Sequence, residues 1–154
     1  MKNFVFVIAL ALLSSTAIGQ KVNFTGEWKL NEQKSDLGDQ FSLAPKTLTV
    51  DHSKKTLDLK IVNEFDGQDY ISEQHYTLDG AECENTGFME SLTKSTVTVD
   101  KKANIITIVT HGSVQGSDYT LTQTISMKDE NLVMDSEATS DMGEIAETYV
   151  FEKQ

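Results

Sequence analysis

The chain has 154 residues, with 24 acidic side chains set against 13 lysines and no arginine, for a formal net charge of −11. Without clustered cations such a surface excludes nucleic acid as an expected partner and disfavours docking on anionic lipid. A single cysteine, Cys83, excludes an intramolecular disulfide, so the fold must rest on its hydrophobic core.

Residues 1–19 read as a secretory signal peptide. Lys2 precedes an apolar run from Phe4 to Leu13, and Ala17-Ile18-Gly19 offers a small-residue cleavage site. That run falls short of the roughly 20 apolar residues a spanning helix needs. The expected organisation is a leader over 1–19 and one domain over 20–154, exported to the periplasm or secreted, with no stable membrane insertion after cleavage.

The first predicted strand runs from Phe24 to Leu30. Beyond Pro45, the one proline, apolar and polar residues alternate at Leu48 and Val50, at Leu57, Leu59 and Ile61, at Tyr70, Tyr76 and Leu78, and at Val97 and Val99. The period of two continues through Ile105, Thr107 and Val109; through Tyr119, Leu121, Ile125 and Met127; through Leu132 and Met134; and from Ile145 to Phe151. Clusters such as Phe65-Asp66-Gly67-Gln68, Gln115-Gly116-Ser117-Asp118 and Lys128-Asp129-Glu130-Asn131 are short enough to close hairpins. No window carries a helical apolar stripe. The expectation is an all-β domain, a single antiparallel up-and-down β-barrel of about 8–10 strands, because closure removes exposed edges. A two-sheet sandwich is the competing architecture.

Two series that share a strand face, Tyr70, Ser72, Gln74, Tyr76, Leu78 and Tyr119, Leu121, Gln123, Ile125, Met127, mix amides and hydroxyls with apolar groups. A buried amide without a partner costs about 1–3 kcal/mol, so an inward face of this kind implies a cavity holding water or a ligand. A register slip of one residue would exchange the two faces.

His52, His75 and His111 fall on separate elements without metal-ligand spacing, and no nucleophile elbow, phosphate-cradling loop or dinucleotide fingerprint occurs. No metal, cofactor or catalytic group is expected, and the chain is not expected to be an enzyme. The acidic stretches Asp79 to Asn85 and Asp135 to Glu147 match no calcium loop and are expected to be solvated turns. Cys83, within the first of them, could pair only between chains.

Both ends of the domain carry a resemblance. Phe24-Thr25-Gly26-Glu27-Trp28-Lys29-Leu30 resembles the opening strand of fatty-acid-binding proteins and the Gly-x-Trp of lipocalins, and Thr148 to Gln154 resembles the closing strand of the former. The continuation Asn31-Glu32-Gln33-Lys34-Ser35 is similar to a form found in small exported bacterial lipocalin-like proteins. The resemblance implies a calycin barrel in which Gly26 permits a close approach and Trp28 plugs one end. Lipocalins also set a basic residue against that tryptophan, a role open here to Lys153.

The resemblance also fails at one point. The arginine and tyrosine with which fatty-acid-binding proteins hold a carboxylate fall on Tyr149 and Phe151, which cannot supply the guanidinium's charge. Fatty-acid binding is therefore not carried over. The segment from Leu30 to Lys46 is also short for that family's helical lid, implying an open or loop-capped mouth.

The leading expectation is a binding module for a small hydrophobic or weakly polar molecule, lined, by strand parity, by Tyr70, Tyr76, Leu121, Ile125 and Met134. The alternative is a protein-interaction or inhibitor module using loops and the acidic surface to hold a protein partner. An isomerase or hydratase on the same barrel is the third reading, and it needs a titratable group in the lumen.

Overall fold

Alternation of β-branched and aromatic residues with polar ones produces ten strands in the computed structural model of the protein, which describes residues 23–38, 42–87 and 90–154. The expected signal peptide, residues 1–19, lies outside the described residues. The strands are β1 (Gly26–Leu30), β2 (Thr47–His52), β3 (Thr56–Phe65), β4 (Gln68–Thr77), β5 (Cys83–Thr86), β6 (Leu92–Asp100), β7 (Ile105–Val114), β8 (Ser117–Lys128), β9 (Asn131–Ser140) and β10 (Gly143–Lys153).

They form one antiparallel sheet in the order β4-β3-β2-β1-β10-β9-β8-β7-β6-β5. Because β1 pairs with both β2 and β10, the sheet curls into a nearly closed up-and-down barrel. Its two end strands, β4 and β5, face each other across a seam bridged by side chains. The Asn85 amide stands in for a peptide group there, accepting from the His75 N–H at 2.8 Å and donating to the His75 carbonyl at 3.0 Å. Gln74 Nε2 donates to the Thr86 carbonyl, and Cys83 Sγ accepts from the Thr77 N–H.

The hairpins use the chemistry their sequences announce. Asp66-Gly67 and Gln115-Gly116 each place two residues in succession at positive φ, the backbone twist that matches a two-residue turn to the strands it joins. Asp129-Glu130 adopts the same conformation without a glycine.

The hydrophobic core fills one end of the barrel, the end carrying the β2–β3, β6–β7 and β8–β9 turns. Trp28, Leu48, Leu57, Ile108, Ile125, Leu132 and Phe151 are buried there, each aliphatic side chain stabilising the fold by about 1.5–3 kcal/mol. Trp28 Nε1 donates to the Phe24 carbonyl at 2.9 Å, and Lys153 Nζ lies 5.7 Å from the Trp28 ring centre, so the basic residue expected against the tryptophan is in place. A Cβ at Gly26 would meet the Lys153 stem at 3.1 Å, which accounts for glycine at this crossing. Outward residues such as Thr49, Lys60, Thr96, Thr98 and Glu137 are polar and exposed, the reverse of the lipid-facing apolar band of a membrane barrel.

Three details differ from the sequence reading. β5 has no apolar alternation and reads as acidic loop, yet Cys83–Thr86 pairs with β6, with Cys83 and Asn85 buried. The face of β7 is reversed: Ile106, Ile108 and Thr110 point inward, while Ile105, Thr107 and Val109 are half-buried outside. Its run Ile105-Ile106-Thr107-Ile108-Val109 is apolar at both parities, so alternation could not choose. Finally, Asp135 to Glu147 is no solvated turn but most of β9 and the first half of β10, and Glu147 is buried.

Candidate ligand-binding lumen

Above the apolar base, the inward positions of successive strands turn polar. Ser95 Oγ and Thr110 Oγ1 share a hydrogen bond at 2.8 Å, and Ser95 also meets the Tyr76 phenol. Thr93 Oγ1 donates to the Asn85 carbonyl at 3.1 Å. On the opposite wall Gln123 Nε2 approaches Met134 Sδ at 3.3 Å, and Tyr149 meets Ser136. Burial pushes the Tyr76 phenol up to about 12, and burial together with the adjacent Glu147 carboxylate pushes Tyr149 up as well. Both phenols are thus neutral donors at ordinary pH.

Glu147 is the strongest feature of this layer. It is 5% exposed and the one buried acid among the described residues. Its Oε1 accepts from the Gly38 N–H at 2.8 Å, and its Oε2 accepts from the Leu43 N–H at 3.1 Å and the Tyr149 hydroxyl at 2.7 Å. Burial opposes its ionisation, but the Gly38 N–H, the Tyr149 and Ser42 hydroxyls and the Leu43 N–H outweigh it, holding the carboxyl below its ordinary value. Gly38 and Leu43, from the connection between β1 and β2, are thereby held against the barrel interior. Asp36 bridges Thr148 by two backbone hydrogen bonds of 2.9 Å, and Leu37 and Ala44 pack against the core. Parity with Tyr149 and Phe151 would have placed Glu147 inside; its acidic neighbours concealed that signal.

Toward the other end the wall is looser. A Cβ on Gly112 would lie 2.5 Å from the Tyr119 hydroxyl, so the ring lies flat over its cross-strand partner and reaches Ser91. Leu121 and Ala138 are half-buried. Phe65 and Tyr70 make an edge-to-face pair 5.7 Å apart. Ser117 Oγ is buried without a partner.

The five nominated lining residues divide between these levels. Tyr76, Ile125 and Met134 belong to the packed base or its upper boundary, at 3%, 0% and 1% exposure, Leu121 lies half-buried in the looser half, and Tyr70 stands at the rim, 52% exposed. All five share the inward parity, but they do not converge on one point. Gln123, Ser136, Tyr149 and Glu147 sit between base and rim; Gln123 belongs to the mixed face read from the sequence, but none of the four is among the expected lining residues.

Two hollows open at the surface, the first reaching from outward residues over the rim to Gly112 and Tyr119. One of about 630 Å³ is lined by Leu92, His111, Asp118, Thr139 and Asp141 among others, and one of about 340 Å³ by Thr49, Asp58, Lys60, Glu73 and His75 among others. His75 pairs with Asp58 and His111 bonds Thr120, both outside, while His52 stacks on Phe24 at the packed end. Among the described residues no group of three or more His, Cys, Asp or Glu could hold a metal ion. No protein-family model matches the chain, and a search of curated proteins finds no match.

Proposed function

We propose that the protein is a non-catalytic binding barrel, exported to the periplasm or secreted, that takes a small hydrophobic or weakly polar molecule into its lumen. The layer of inward hydroxyls and amides above an apolar base supports this reading, since such groups in a barrel interior suit a ligand with an apolar body and a neutral polar end. The opening and closing strands and the nearly closed ten-strand order support kinship with the lipocalin and fatty-acid-binding barrels. A fatty acid fits poorly: its carboxylate would meet Glu147 rather than a cation, and Tyr149 and Phe151 occupy the positions where charge would be needed.

The test is native mass spectrometry of the protein purified gently from its own cells, followed by titration with a neutral solvatochromic dye. A co-purifying small molecule and saturable dye binding, weakened by Gln123→Leu and by Tyr149→Phe, are expected. Dye binding indifferent to both substitutions, with nothing co-purifying, would overturn the reading.

A protein-interaction module is the second reading. It is favoured by the exposed apolar side chains Tyr70, Ile71, Leu92, Met142 and Ile145, all at the end of the barrel opposite the packed base. The isomerase or hydratase reading has less to rest on, because Glu147 is already held by four donors and the three histidines sit outside or at the packed end.

A further inference from the structure

The ring of strands stops short of closure in one place, and the β4 edge there, without a partner strand among the described residues beyond Thr86, has a definite geometry. The N–H and C=O of His75 both point across the seam to Asn85, and the Thr77 N–H points the same way to Cys83. In an antiparallel strand the two backbone groups of a residue point to one side, and the side alternates with each residue. Asp69, Ile71 and Glu73 therefore also turn their N–H and C=O groups to the seam. β5 ends at Thr86, level with Gln74, and among the described residues no backbone hydrogen bond reaches these three from beyond β3.

The same stretch is exposed on both faces, though the Tyr70 ring also meets Phe65 edge-on. Tyr70 on the inner parity is 52% exposed and Ile71 on the outer parity 61%, whereas Tyr76, lower on the strand, is buried. On the outer face Ile71 is flanked by the carboxylates of Asp69 and Glu73, both on exposed residues; the one cation paired there, Lys46, is shared between Glu64 at 2.8 Å and Asp69 at 3.2 Å, and Glu73 has no ion pair among the described residues. A second copy of the chain laid antiparallel here, Ile71 against Ile71, would set Asp69 of each copy opposite Glu73 of the other, a like-charge arrangement that disfavours pairing. A segment with cations in those places meets the opposite situation.

We propose that the β4 edge from Asp69 to Glu73 receives an extended segment of another polypeptide as an added strand, and that this segment carries an apolar residue between two cations at alternate positions. Main-chain hydrogen bonds from Asp69, Ile71 and Glu73 hold the segment, and the two carboxylates choose it. The exposed aromatic ring of Tyr70 covers its inner side. Apart from Tyr70, which also stands at the rim of the lumen, this surface is separate from the proposed ligand site, and peptide binding is read at the Asp69, Ile71 and Glu73 amides rather than by dye.

The probe is the blocked peptide Thr-Lys-Thr-Val-Thr-Lys-Thr, added to the purified protein and followed by amide NMR and hydrogen exchange. Saturable binding with slowed exchange at Asp69, Ile71 and Glu73 is expected, and replacing both lysines of the peptide by glutamate should weaken binding about tenfold or more at low salt. The double substitution Asp69→Lys with Glu73→Lys should reverse that preference. Ile71→Pro removes an edge N–H without removing a bond to β3 and should abolish binding at an unchanged urea midpoint. If that variant fails to fold, a peptide N-methylated at its central residues gives the same information from the other side and should not bind. Protection elsewhere on the barrel, a peptide preference indifferent to the charge reversal, or a peptide-free dimer joined through β4 would each overturn the proposal.

Discussion

Replacing Glu147 by glutamine preserves shape and removes a charge, so it isolates what the carboxylate contributes. Both oxygens are acceptors in the native arrangement, Oε1 for Gly38 and Oε2 for Leu43 and Tyr149. A glutamine must turn its amide toward one of them, and the less disruptive choice places the NH2 against the Gly38 N–H, donor facing donor. The lost bond was to a charged group, worth about 1.5–3 kcal/mol, and those that survive, from Leu43, Tyr149 and Ser42, change from charge-assisted to neutral. A destabilisation of about 2–3 kcal/mol is expected, a fall of about 1–2 M in the urea midpoint. The folded carboxyl lies below its unfolded value of 4.5, so its contribution is complete above that pH and is lost as pH falls through the lower folded value. The midpoints of the two proteins should therefore be separated at neutral pH and converge in acid, where the wild-type carboxyl is protonated and mimics the amide. A neutral-pH difference below about 0.3 M, or a gap that persists undiminished to acid unfolding, would refute the account of Glu147 as an ionised anchor for the β1–β2 connection.

Asn85→Ala removes two hydrogen bonds across the seam and should cost about 1–3 kcal/mol, with amide exchange at His75 accelerating more than at Ile125 on the far wall; equal acceleration would show that the seam is not a local joint. Glu130, at φ 67 in the β8–β9 turn, holds a left-handed conformation that costs a non-glycine residue about 1–2 kcal/mol. Glu130→Gly should therefore raise the thermal midpoint by about 2–5 °C after the entropy of glycine is subtracted, and a lowered midpoint would count against strain at that turn.

The architecture was legible because its determinants are local. Parity put Trp28, Leu48, Leu57, Leu59, Tyr76, Ile125 and Met134 on one face, and dipeptides such as Asp66-Gly67 marked where the chain reverses. β5 was not legible, because a four-residue strand of Cys83-Glu84-Asn85-Thr86 has no apolar alternation to display and owes its place to β6 and to Asn85 reaching His75. β7 misled for the opposite reason, its neighbours being apolar on both faces. The interior layer was half legible: the amides of Gln74 and Gln123 betrayed a polar inner wall, but Glu147 takes its character from Gly38 and Leu43, more than a hundred positions earlier in the chain. A periodicity of two cannot register a partner at that separation.

On the proposed reading, dividing the barrel into an apolar base and a polar upper half lets stability and binding make separate demands on one sheet. The residues fully buried at the base, from Leu48 to Phe151, are close-packed, and a lost methylene there is felt throughout the fold. Gln123 and Leu121 in the upper half are only partly buried and contact few groups they could not exchange for a ligand. Substitutions at these upper positions should therefore alter what is held without unfolding the holder. Gln123→Leu tests this directly, since among the described residues its amide makes one weak contact, with the Met134 sulfur, and its replacement is apolar and of similar bulk. The variant should unfold within about 0.5 kcal/mol of the wild type while its affinity for a neutral dye falls. A large loss of stability would mean that Gln123 belongs to the framework and that the packed region reaches higher than its burial indicates.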